Sequence, residues 1–123
     1  MLAIPQLLAI DLPSYVLRHP SVRTLSQYPR LREITIEVRN VENDTVDAVF
    51  AQLAVMPEMR RLRLRGHENL QYGNRPNDQD LLVLQNAPAL QRLILSDSPA
   101  VTDAGIEALK RAHPQLIVER AYG

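Results

Sequence analysis

The sequence predicts an α/β chain of repeated strand-then-helix units: a solenoid whose short, curved parallel sheet of about four to five strands carries helices on its convex side. Three observations carry this prediction. One apolar strand motif recurs four times without gaps, stretches with helical spacing lie between the copies, and a proline opens each copy. No single unit of this kind can bury its apolar face alone, so the units must stack.

The four copies are PQLLAIDL from Pro5, PRLREITI from Pro29, PEMRRLRL from Pro57 and PALQRLIL from Pro88. Each has an apolar residue two, five and seven places after its proline. A fifth, PQLIVERAYG from Pro114, keeps only the beginning. Successive starts are 24, 28, 31 and 26 residues apart, which divides a single domain over 1–123 into units of about 5–28, 29–56, 57–87 and 88–113 with a closing half-unit, 114–123. Strand alternation places Ile34 and Ile36, Leu62 and Leu64, and Leu93 and Leu95 on the core face.

Between the strands, Val46, Val49, Phe50 and Leu53 fall at i, i+3, i+4 and i+7, a stripe on one side of a helix. Leu81 with Leu84, and Ile106 with Leu109, repeat that spacing more briefly. Asp44, Asp47, Asp78, Asp80 and Asp103 stand where helices begin, and Lys110, Arg111 and His113 where the last one ends, as the helix dipole favours. The proline of each following unit stops the helix before it.

Composition narrows the function. A chain of 123 residues with 14 basic and 14 acidic side chains has no net charge and lacks the field of a general nucleic-acid binder. It has no cysteine, which removes disulfides, thiolate metal sites and a cysteine nucleophile and makes the cytoplasm the default compartment. The apolar start MLAIPQLLAIDL has no preceding basic residue and is broken by Pro5 and Asp11, so it reads as structure, and no apolar run reaches the roughly 18 residues of a membrane span. His19, His67 and His113 lack metal-ligand spacing, and no phosphate-cradling glycine loop or nucleophile elbow is present. The expectation is a non-enzymatic chain without cofactor or metal.

The segment Pro88 to Leu116, PALQRLILSDSPAVTDAGIEALKRAHPQL, resembles the leucine-rich repeat of the cysteine-containing kind, known from F-box receptors and from related bacterial repeat proteins, with the ribonuclease-inhibitor-like α/β architecture. The likeness lies in the strand, the Val-Thr-Asp-x-Gly turn into the helix and the closing proline. The other units keep the strand motif without that turn, and Tyr28, Met56, Ala87 and His113 replace the usual cysteine before the proline. The resemblance implies protein–protein recognition, in some members the choice of a ubiquitin ligase's target.

Residues between the core-facing positions point to the inner, concave face, the extended binding surface of a solenoid. They are Ala9 and Asp11, then Glu33, Thr35 and Glu37, then Arg61, Arg63 and Arg65, then Arg92, Ile94 and Ser96. Arg61, Arg63 and Arg65 form a basic ridge with about 6–7 Å between neighbours, suited to bidentate capture of a partner's carboxylates or phosphates. The competing reading pairs Arg61 and Arg65 laterally with Glu33 and Glu37, each pair contributing roughly 0.2–1 kcal/mol. The enlarged third unit adds a rim loop over residues 65–77, where His67, Tyr72 and Arg75 can make contacts, or which is a solvated turn region.

The first strand, with Leu2, Ile4, Leu7, Leu8, Ile10 and Leu12, has little polar alternation and no covering element before it. An open edge of this kind invites pairing, either with a second copy of the chain or with the rest of a longer repeat array, unless the segment folds back on itself. The leading expectation is a protein-interaction module using the Arg/Glu strand face and the 65–77 loop. The alternative is an assembly role, as the C-terminal cap of a larger repeat protein or a subunit packed through its apolar first strand.

Overall fold

A computed structural model describes residues 9–12, 30–38, 42–66 and 76–121. Five strands, β1 (Ala9–Leu12), β2 (Glu33–Glu37), β3 (Arg61–Arg65), β4 (Arg92–Ser96) and β5 (Ile117–Ala121), form one sheet in sequential order, each pairing in parallel with the next. Three helices return the chain between strands: α1 (Asn43–Ala54), α2 (Asp78–Val83), which tightens into a 3₁₀ turn over Leu84–Asn86, and α3 (Asp103–Ala112). The chain is therefore α/β with an all-parallel sheet.

The register follows the proline columns. Ala9, Glu33, Arg61 and Arg92 stand side by side, each four residues after its proline. β5 departs by one residue, since Ile117, three residues after Pro114, aligns with Arg92. The shift has a chemical reason. It turns Val118 toward the core beside Leu93, where the unshifted register would have turned Glu119 inward.

One face of the sheet and the apolar stripes of the helices make the core. Ile34, Ile36, Leu62, Leu64, Leu93 and Leu95 are buried from the sheet side, and Val46, Val49, Phe50, Leu53, Leu81, Leu84 and Leu109 from the helix side. Leu31, Met59, Leu90 and Leu116, two residues after successive prolines, are also buried and close the core below the strand starts. Met56 and Ala87, at the position the resemblance gives to cysteine, are buried too, and half-buried His113 brings Nε2 to 3.4 Å from the Ala87 carbonyl oxygen.

Each helix start has its own device. Asn77 and Asp80 form a reciprocal capping box at α2, each side chain accepting the other's backbone N–H at 3.0 Å. Thr102 caps α3 by accepting the Gly105 N–H at 3.1 Å. α1 has no side-chain cap and relies on its buried stripe. After β4, Asp97 adopts φ 48°, a left-handed turn that aspartate tolerates, and its carbonyl lies where a Cβ on Gly66 would stand, 2.5 Å away.

The sheet is not curled, a correction to the expected curvature. Curvature in a strand–helix stack accumulates because helices need about 8–10 Å and strands only about 4.8 Å. Here α2 spans only six residues, so the outer layer over the third unit imposes little of that mismatch.

Candidate functional site

The other face of the sheet carries the polar strand positions. Across β2, β3 and β4 it presents three rows: Glu33, Arg61 and Arg92; Thr35, Arg63 and Ile94; Glu37, Arg65 and Ser96. Ile117, Glu119 and Ala121 of β5 extend them in order. The parallel register puts charged side chains of successive units next to each other, one strand spacing apart.

Two ion pairs run across the first row and its neighbour. Arg61 Nη1 lies 3.8 Å from Glu33 Oε1, with the two side chains 50% and 58% exposed, so this pair is loose and screened by solvent. Arg92 Nη1 lies 3.1 Å from Glu119 Oε1, again with both side chains nearly half exposed. Glu37 stands opposite Arg65 in the register. The Arg61–Glu33 and Arg92–Glu119 pairs sit in high dielectric and can exchange an internal carboxylate for one brought by a partner at little cost.

Arg63 is different. It lies between Thr35 and Ile94 in the middle row, half-buried, and its Nε is enclosed without a hydrogen-bond acceptor among the described residues. A small cavity of about 120 Å³ opens beside it, lined by Glu33, Ile34, Thr35, Arg61 and Arg63. An enclosed guanidinium N–H without an acceptor is costly.

Ile94 is a correction to the expected contact set. It belongs to the polar face but is only 5% exposed. In the register it is flanked by Arg63 and Glu119, and the Arg92–Glu119 pair crosses beside it, so long side chains with apolar stems border it on both sides. Ser96, two residues on in β4, is buried as well, and its Oγ has no hydrogen-bond partner among the described residues, while Ser98 Oγ donates to the Ser96 carbonyl oxygen at 3.0 Å. Of the expected contact residues, Glu33, Arg61, Arg65 and Arg92 are exposed, and Thr35, Glu37 and Arg63 are half-buried. His67, Tyr72 and Arg75 of the rim loop, residues 1–8 of the apolar start and His19 lie outside the described residues.

A second feature was not anticipated from the strand pattern. At the starts of the strands a groove of about 460 Å³ runs from Ala9 of β1 to Ile117 of β5. Arg32, Arg60 and Gln91, each just before a strand, line it with Glu33, Arg61 and Arg92. The signal existed in the alignment, because Arg32, Arg60 and Gln91 share the column three residues after the proline. That column lies outside the alternating strand positions.

No protein-family model matches the chain, and no curated protein matches it either. Among the described residues no helix is long and apolar enough to cross a membrane.

Proposed function

We propose that the chain is a leucine-rich-repeat solenoid of the cysteine-containing type, with its cysteines replaced, and that it works as a non-enzymatic protein-interaction module. The fold assignment draws support from the recurring strand motif, from the sequential parallel strands with their register on the proline columns, and from the burial of Met56 and Ala87 at the cysteine position. The binding surface is the Arg/Glu strand face, extended by the 65–77 loop.

The observation that carries the functional reading is the arginine row of β3. Arg61, Arg63 and Arg65 occupy one face of one strand, where, among the described residues, Arg61 has a loose, solvent-exposed pair and Arg63 an enclosed Nε without an acceptor. Three guanidinium groups kept this close on an open face are suited to a partner's carboxylates. Affinity capture from a cell lysate followed by mass spectrometry tests this, with wild-type bait beside the double substitution Arg61→Glu and Arg63→Glu. The reading expects proteins enriched by the wild type and lost from the variant. An identical enriched set with both baits, or none with either, rejects it.

The assembly reading keeps one specific support: among the described residues β1 pairs with β2 alone and so forms an edge of the sheet. Sedimentation of the purified chain at rising concentration separates the two. Self-association that persists in the double Arg→Glu variant favours assembly.

A further inference from the structure

We infer that the groove across the strand starts takes an extended, acidic segment of a partner protein, with carboxylates seated between Arg32 and Arg60. The inference rests on the interaction reading above and adds to it the location and chemistry of the bound segment.

Four arginines and one glutamate line the groove, a strong local excess of positive charge in a chain of zero net charge. Two of the arginines already have acids: Arg61 faces Glu33, and Arg92 faces Glu119. Arg32 and Arg60 do not. Both are exposed, and among the described residues neither side chain forms an ion pair or hydrogen bond. Their backbones are joined directly, with the Arg60 and Arg61 N–H groups both donating to the Arg32 carbonyl oxygen at 2.9 Å. Two like charges are thus held just before adjacent strands with no counter-charge of their own among the described residues. A carboxylate between them would accept hydrogen bonds from both.

The dimensions suit a peptide. Crossing five strands means four steps of about 4.8 Å, or about 19 Å, which an extended chain of about six residues spans at roughly 3.3 Å per residue. Glu33 in the groove lining favours spaced carboxylates over a continuous polyanion. A nucleic-acid strand, with a phosphate at every nucleotide, would meet that glutamate unfavourably.

The test is fluorescence anisotropy with a labelled ten-residue peptide of alternating Glu and Ser, titrated with the full chain at low and at physiological salt. Binding should weaken with salt and fall at least tenfold in the Arg32→Glu, Arg60→Glu double variant, while Lys110→Glu, an exposed cation in the last turn of α3, retains it. A Lys/Ser peptide should not bind. Both substituted arginines are exposed, so an unchanged thermal midpoint serves as the folding control. Absence of binding by the wild type, equal binding by the double variant, or tighter binding of an oligothymidylate of equal charge would overturn the inference. Lysate partners that survive Arg32→Glu, Arg60→Glu but are lost with Arg61→Glu, Arg63→Glu would likewise overturn the groove, yet leave the interaction reading standing.

Discussion

Asp78 holds Thr102 with both carboxylate oxygens: Oδ1 accepts the Thr102 N–H at 2.7 Å and Oδ2 accepts its hydroxyl at 2.6 Å. The two residues are the first of α2 and the N-cap of α3. The contact therefore clamps the helix of one unit to the helix start of the next, while the Thr102 hydroxyl also accepts from Gly105. Charge-assisted hydrogen bonds of this type contribute roughly 1.5–3 kcal/mol, less where solvent reaches them. Asp78→Ala should lower stability by about 1–2 kcal/mol in urea unfolding. A double-mutant cycle with Thr102→Val should show coupling of about 0.5 kcal/mol or more. Strict additivity would mean the two groups do not act together.

The same clamp explains a glycine inside a helix. Gly105 is buried in the first turn of α3, and a Cβ there would run into the Asp78 carboxylate. On helix propensity alone, Gly→Ala is expected to stabilise by about 1 kcal/mol. Gly105→Ala should instead destabilise, and the substitution should become neutral or favourable in an Asp78→Ala background. Thermal unfolding of the two single variants and the double decides this. A Gly105→Ala chain more stable than wild type would show that the carboxylate moves aside freely.

Ser96 supplies a prediction of opposite sign. Its buried Oγ has no partner among the described residues, and a buried hydroxyl left unsatisfied costs roughly 1–3 kcal/mol relative to one that is hydrogen-bonded. The bond it supports at its backbone oxygen, from Ser98, does not need the hydroxyl. Ser96→Ala should thus leave stability unchanged or raise it by up to about 1 kcal/mol. A clear loss in denaturant unfolding would reveal an acceptor or donor for Oγ.

Much of this architecture was legible in the sequence because the repeat aligns columns. The proline-to-strand distance is the same in PQLLAIDL, PRLREITI, PEMRRLRL and PALQRLIL, so the columns give the register of β1 to β4 directly. β5 escaped this rule because its apolar residues follow Pro114 one position earlier, and burial of Val118 prevails over column spacing. The arginine row was visible for the same reason as the core: strand alternation states which face a side chain takes. It does not state what borders that side chain, which is why Ile94 was assigned to the open face yet is buried. Curvature was not legible either, since it depends on helix lengths, and α2 is shorter than its unit suggests.

The polar face should be nearly silent in stability. Arg61 and Glu33 are 3.8 Å apart and half exposed, so removing either should change unfolding free energy by less than about 1 kcal/mol. Leu62→Ala, one position after Arg61 in β3, or Leu93→Ala, its neighbour in β4, should cost about 2–5 kcal/mol because both are fully buried. Urea titrations of the four variants check the contrast. A large loss on Arg61→Ala would mean that the arginine row serves the fold.

The central claim, that the Arg/Glu strand face is where a partner sits, is tested most directly by site-specific photo-crosslinking. A photoreactive phenylalanine is placed at Thr35, between Asp11 and Arg63 in the register, and in a separate variant at Val55, 72% exposed beyond the end of α1. After irradiation in a lysate, adducts should form from position 35, and the Arg61→Glu, Arg63→Glu background should remove them. Adducts from position 55 alone, or position-35 adducts indifferent to the arginines, would contradict it.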